Sequence, residues 1–131
     1  MSELKALLAG ALASVLAWII NRQFLARWKL NISLWGPLGE ELLKTGLAFL
    51  LGGSLALTHF TFGLVEGCWE WGRGRRGAAW GAVASHTFFG LCSFFAWRAT
   101  NSFFWAWGAA AAVHIGWNSF FYFLHRQPPR T

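Results

Sequence analysis

Long apolar stretches joined by short basic or glycine-rich links run from Leu4 to Leu124, and this pattern constrains the chain more than any other feature. A helix needs about 20 apolar residues to cross a bilayer, with roughly 17 to 25 tolerated. Composition agrees: 56% of the residues are hydrophobic and 12% are charged, against about 25% charged in a soluble domain. So few charges cannot cover a water-soluble monomer of this length. An aromatic content of 18% and the length of the apolar runs exclude disorder. The net charge is +6, but the basic residues stand in clusters between apolar stretches. That placement suits membrane-flanking loops and speaks against nucleic acid as a partner. The expectation is an all-α, polytopic membrane helix bundle of about five spans, forming one domain over residues 1–131, with the lipid bilayer as its surroundings.

The expected spans are residues 4–20, 38–51, 55–71, 77–97 and 103–124. The first reads as a retained span rather than a cleaved signal peptide, because its cleavage-site signals are weak. The stretch Asn21 to Trp35 carries Arg22, Arg27 and Lys29 among Trp28, Leu30, Ile32 and Trp35, and reads as lying along the membrane interface. Gly36-Pro37 then reads as a helix start, since proline is tolerated in a first turn. The segment from Leu38 to Trp71 is too long for one span, and Gly52-Gly53-Ser54 divides it. Charge tests the division. With five spans, one side holds Lys5 and Arg98, and the other holds Arg22, Arg27, Lys29, Arg73, Arg75, Arg76, Arg126 and Arg130. A bias of this kind predicts the N-terminus outside and the C-terminus in the cytoplasm. The chain shows no internal repeat. Cys68 and Cys92 lie in apolar segments without any paired spacing and read as buried small hydrophobes.

Ionisable groups inside a bilayer cost roughly 2.5–3.5 kcal/mol each on insertion scales, so they stay where they are paired, hydrated or useful. Glu40 and Glu41 stand near the cytoplasmic end of the second span. Glu66 lies inside the third, His86 in the fourth, and His114 with Asn118 in the fifth. At 1.5 Å per residue, Glu66, His86, His114 and Asn118 fall roughly 9–15 Å deep on the same side. Matched depth on separate helices predicts one shared polar site. Lys44 follows Glu40 and Glu41 at spacings that let it neutralise either carboxylate. Gly63 and Gly67 bracket Glu66 and should let another helix approach closely.

Each residue also has a plainer reading. Glu40 and Glu41 could be first-turn acids opposing the helix dipole. Glu66 could be a structural partner, and His86, His114 and Asn118 could join helices by hydrogen bonds. None of these readings explains the common depth. His59, near the outer end of the third span, and His125, in the tail, read as structural.

The motifs resemble those of the PrsW family of intramembrane proteases, within the CPBP and type II CAAX protease superfamily. Glu40-Glu41-Leu42-Leu43-Lys44 resembles the first family motif, EExxK. Phe62 to Glu66, a glycine-containing helix ending in glutamate, resembles the second. The surroundings of His86 resemble the third, and His114-Ile115-Gly116-Trp117-Asn118 resembles the fourth, HxxWN. They occur in the family's order from Gly36 to Asn118. Gly67 stands where the family often has asparagine after the second-motif glutamate.

The resemblance implies an intramembrane endopeptidase of a bacterial or archaeal plasma membrane. Its substrate would be a membrane protein or a membrane-bound peptide, hydrolysed by a Glu/His-activated water. Glu40 or Glu41 would polarise water with His86, and His114 and Asn118 would hold the oxyanion. A zinc version is open beside it, with Glu66, His86 and His114 as ligands and Glu40 or Glu41 as general base. The superfamily also includes a non-proteolytic scaffold subunit of gamma-secretase, so a membrane scaffold or chaperone-like subunit is the second function class. A proton-coupled carrier comes last, for want of a repeat. Oligomeric state is not legible.

Overall fold

The computed structural model of the chain describes residues 2–25 and 32–125. It is all-helical. The described residues form α1 (Glu3–Ile20), a short π-helical turn (Asn21–Leu25), α2 (Ile32–Leu51), α3 (Leu55–Gly72), α4 (Arg76–Thr100) and α5 (Phe103–His125). Arg27, Trp28, Lys29, the tail from Arg126 and the side chains of Ile32 and His125 lie outside the described residues.

Local chemistry sets the turns. Gly52 takes φ +69° between α2 and α3, a left-handed conformation that glycine adopts without steric cost. α4 stops at Asn101, which takes φ 51° and returns its backbone N–H to the Trp97 carbonyl, as asparagine can at a helix C-terminus. The start of α2 differs from expectation. The helix begins at Ile32, so Pro37 lies inside it rather than in its first turn. Proline's fixed φ of about −65° is itself helical, but inside a helix the ring removes one backbone donor and crowds the carbonyl four residues back.

Small residues decide the packing. α1 buries Ala6, Ala9, Gly10, Ala13 and Ala17 along one face. A Cβ on Gly10 would come within 2.5 Å of the Thr58 carbonyl oxygen, so the backbones of α1 and α3 lie close together. α1 and α3 run parallel, Gly53 meeting Ala6 at one end and the Trp18 and Trp69 rings standing 5.8 Å apart at the other. α4 packs antiparallel on α3. A Cβ on Gly63 would meet Ala82 and His86, and one on Gly67 would meet Ala79. The glycine pair that brackets Glu66 thus brings two helices together as its spacing suggests. α5 lies against α4 and α2, with Phe103 packed on Phe49 and the Trp107 indole donating to the Leu38 carbonyl at 3.1 Å.

The distribution of polarity is inverted relative to a water-soluble core. The largest fully buried side chains are Lys44, Phe89, His59, Glu41, Thr45, Thr58 and Ser93. Leu, Phe and Trp side chains cover the outside instead, among them Leu50, Phe104 and Trp80. Among the described residues two helices, Glu3–Gln23 and Arg76–Thr100, are long and apolar enough to cross a membrane. α2 carries Glu40, Glu41 and Lys44, and α3 carries Glu66 and Glu70, which lowers the hydropathy of both.

Candidate functional site

Glu41 is the hub of a buried polar cluster fed by four helices. Its Oε1 accepts from Lys44 Nζ at 2.5 Å and from His114 Nδ1 at 2.7 Å. Its Oε2 lies 2.8 Å from His59 Nε2. Lys44 Nζ also reaches His86 Nδ1 at 3.0 Å, and His86 Nε2 lies 2.6 Å from Glu66 Oε2. The cluster therefore runs as one chain of contacts from the Leu55 carbonyl, through His59, Glu41, Lys44 and His86, to Glu66, with His114 branching at Glu41.

The donor and acceptor inventory fixes most of the hydrogens. A lysine ammonium only donates, so His86 Nδ1 accepts, and the ring carries its hydrogen on Nε2 and donates it to Glu66. The Leu55 carbonyl only accepts, so His59 Nδ1, 2.9 Å away, carries a hydrogen. His59 Nε2 faces the Glu41 carboxylate, and one proton lies between those two atoms. His114 donates through Nδ1 to Glu41, which leaves Nε2 of the neutral ring as an acceptor.

Packing holds these rings. The Phe89 ring stacks on His114 with centroids 4.6 Å apart. Phe62 meets His86 edge-on, and the Lys44 ammonium stands 4.1 Å from the Phe62 centroid, a cation–π contact. A Cβ on Gly90 would meet His59 Cβ at 2.6 Å. The absence of a side chain at Gly90 thus lets His59 lie between α3 and α4 and reach Glu41.

Two cavities flank this centre. One, of about 500 Å³, lies among α3, α4 and α5 and is lined by Glu66, Ser85, His86, His114, Trp117 and Asn118, with Gly77 and Gly81 toward its mouth. The other, of about 480 Å³, lies between α1 and α3 and is lined by Trp18, Asn21, Glu40, Phe62, Glu66 and Arg73. Glu66 borders both, with its side chain 46% exposed. Glu41 is fully buried behind the imidazoles.

The candidate residues named from the sequence thus fall into two groups. Glu41, Glu66, His86, His114 and Asn118 gather at the centre or at the cavity beside it. Glu40 does not join them: Asn21 Nδ2 donates to its Oε1 at 2.8 Å, on the α1 side of α2. His59 is the residue that sequence reasoning missed. Depth counting set it near the outer end of α3, yet it bonds Glu41. Equal rise from the shared Gly52–Ser54 turn would separate the two, because Glu41 lies ten residues before Leu51 and His59 four after Leu55. The signal available was chemical: a histidine inside an apolar helix needs partners for both ring nitrogens.

Glu41, His86 and His114 each offer one metal-ligating atom, all within 4.8 Å of one another. The carboxylate that joins the two imidazoles is Glu41, whereas Glu66 meets His86 by a hydrogen bond on Nε2. Lys44 does not leave this donor set free for zinc, because its ammonium already uses Glu41 Oε1 and the lone pair of His86 Nδ1.

The chain was compared with protein-family models, curated proteins and solved structures, and none of them matches it.

Proposed function

We propose that the chain is an integral membrane hydrolase, an intramembrane endopeptidase of the PrsW type, in which all five helices span the bilayer. The observation that carries this reading is the buried Glu41–His114 dyad, placed behind a cavity that Asn118 also lines, inside a bundle with an apolar exterior. Such a cluster is costly to insert into lipid and is retained where it does chemistry. Glu41 fixes the tautomer of His114 as a carboxylate does in a hydrolytic triad. His114 Nε2 takes a proton from water as the oxygen attacks the scissile carbonyl. The Asn118 amide, one helical turn away on the same helix face, donates to the oxyanion. When the C–N bond breaks, His114 returns the proton to the leaving amine. Glu66, oriented by His86, holds the water from the cavity wall. Helical peptide bonds resist attack, so the substrate segment unwinds at the cavity mouth near Gly77 and Gly81.

The basic residues support a cytoplasmic mouth. Arg73, Arg75 and Arg76 close the α3–α4 end where the cavity opens, while Lys5 and Arg98 stand at the other end. Accessibility labelling of single cysteines should find Arg75→Cys on the cytoplasmic side and Arg98→Cys outside. Labelling of both from one side overturns the five-span arrangement.

The decisive assay is cleavage of a single-span substrate in liposomes. Loss of cleavage in His114→Ala and Asn118→Ala, with the fold retained, supports the peptidase. One observation favours a second reading, that of a membrane scaffold: both Glu41 oxygens are bonded within the bundle, as in a structural core. A wild type that cleaves no member of a broad substrate panel but co-purifies with another membrane protein would select the scaffold.

A further inference from the structure

We propose that Lys44 is the built-in cation of the centre: its ammonium takes the place of a divalent metal among Glu41, His86 and His114 and keeps the site metal-free. This holds whatever reaction the cluster performs, because it rests on the donor set alone.

Two imidazoles and a carboxylate with donor atoms within 4.8 Å of one another are close to a zinc site. Ligand atoms on a tetrahedral zinc, each about 2.0–2.2 Å from the metal, stand roughly 3.4 Å apart, so a small inward shift would close the set. Lys44 Nζ lies within hydrogen-bond distance of two of these residues, 2.5 Å from Glu41 Oε1 and 3.0 Å from His86 Nδ1. The lone pair on His86 that accepts from Lys44 is the one a metal on that nitrogen would require. An ammonium and a divalent ion cannot both use it.

Three features hold the lysine in place. Its side chain is fully buried, so it has no solvated position to swing to. It shares α2 with Glu41 at i,i+3, a spacing that sets the two side chains side by side on one helix face. The Phe62 ring supports its charge. A flexible surface lysine could yield to zinc at little cost, whereas displacing this buried one breaks its contacts with Glu41, His86 and Phe62 together.

The test is a metal titration of purified, chelator-treated protein in detergent, with Co²⁺ as the optical probe and Zn²⁺ as competitor. Wild type should bind no stoichiometric Co²⁺. Lys44→Met, one side-chain atom shorter and without the charge, should bind one ion per chain with the intense absorption of a tetrahedral site. That binding should vanish when His114→Ala is added. Wild type that takes up one ion, and loses it on Glu41→Gln, overturns the proposal. So does a folded Lys44→Met or Lys44→Ala that binds none, since the donors then form no cation site. If both variants are unfolded, Zn²⁺ supplied during purification decides: restored helicity supports the substitution of ammonium by metal, and continued collapse overturns it. No outcome depends on proteolysis, so failure here and failure of the peptidase reading are distinguishable.

Discussion

Glu40 and Glu41 are neighbours in the chain, and they occupy two different regions of the molecule. Glu41 points into the middle of the bundle, where a lysine and two histidines close around it. Glu40, one residue and about 100° of helix rotation away, faces α1, where among the described residues it accepts from the neutral Asn21 amide. A sequence motif treats the two as a pair. The fold makes one of them the hub of a network and the other a wall of the α1–α3 cavity. A helix presents successive residues to different neighbours, so a double-glutamate motif assigns its roles only through what packs on each side.

The largest effect should follow removal of the hub. Glu41→Gln leaves Lys44 without its carboxylate and takes from His59 and His114 the anion they face. Breaking a buried ion pair from one side costs about 3–5 kcal/mol. We expect a marked fall in thermal midpoint and complete loss of cleavage. A Glu41→Gln protein as stable as wild type would show that the network is not a structural hub, and the contrast with Glu40 would collapse.

His114→Ala should separate chemistry from stability. It removes one of several partners of Glu41, so the fold should persist by circular dichroism. Loss of a general base typically lowers a rate about 10²–10⁴-fold, and turnover should fall by that order with little change in KM. A His114→Ala protein with unchanged turnover would move the reaction away from this imidazole. Gly90→Ala should act through packing. Its Cβ would press on His59 Cβ, and overpacking of this kind costs about 1–3 kcal/mol. Cleavage should fall with stability, although residue 90 touches no substrate. Gly108→Ala is the control, since a Cβ there meets nothing within 4 Å and residue 108 lines neither cavity.

The helices were legible because their signals are local. Apolar runs and the Gly52–Ser54 break lie in the linear sequence, whereas α4 runs three residues past the expected end at 97, to Thr100. The start of α2 was not legible, because Pro37 marks a helix start only when nothing upstream is already helical. At the site, depth counting gathered Glu66, His86, His114 and Asn118, because α3, α4 and α5 are level enough for rise per residue to rank their side chains. It failed for His59. That residue meets Glu41 through the register between α2 and α3, and register depends on tertiary packing that no spacing records. The central place of Lys44 was hidden for the same reason: its spacing named the glutamates as partners, while its contact with His86 spans 42 positions.

The smallest effect should come from Glu40→Gln, which probes the other side of the comparison. The substitution keeps an acceptor for Asn21 Nδ2 at the same length, so their hydrogen bond survives. Among the described residues no ion pair of 4 Å or less involves Glu40, so the substitution breaks none there. Glu40 is half-buried, and with its hydrogen bond kept the thermal midpoint should move far less than in Glu41→Gln, where a buried ion pair is broken. Cleavage should stay within a few-fold of wild type, because the Glu41–His114 dyad is untouched. Measured beside Glu41→Gln in one assay, the pair tests whether the motif divides as the packing divides it. Equal loss in both would make Glu40 a catalytic partner and would require water in the α1–α3 cavity to take part in the reaction. Loss in Glu41→Gln alone would confine the chemistry to the α3–α5 side and leave Glu40 as a wall residue.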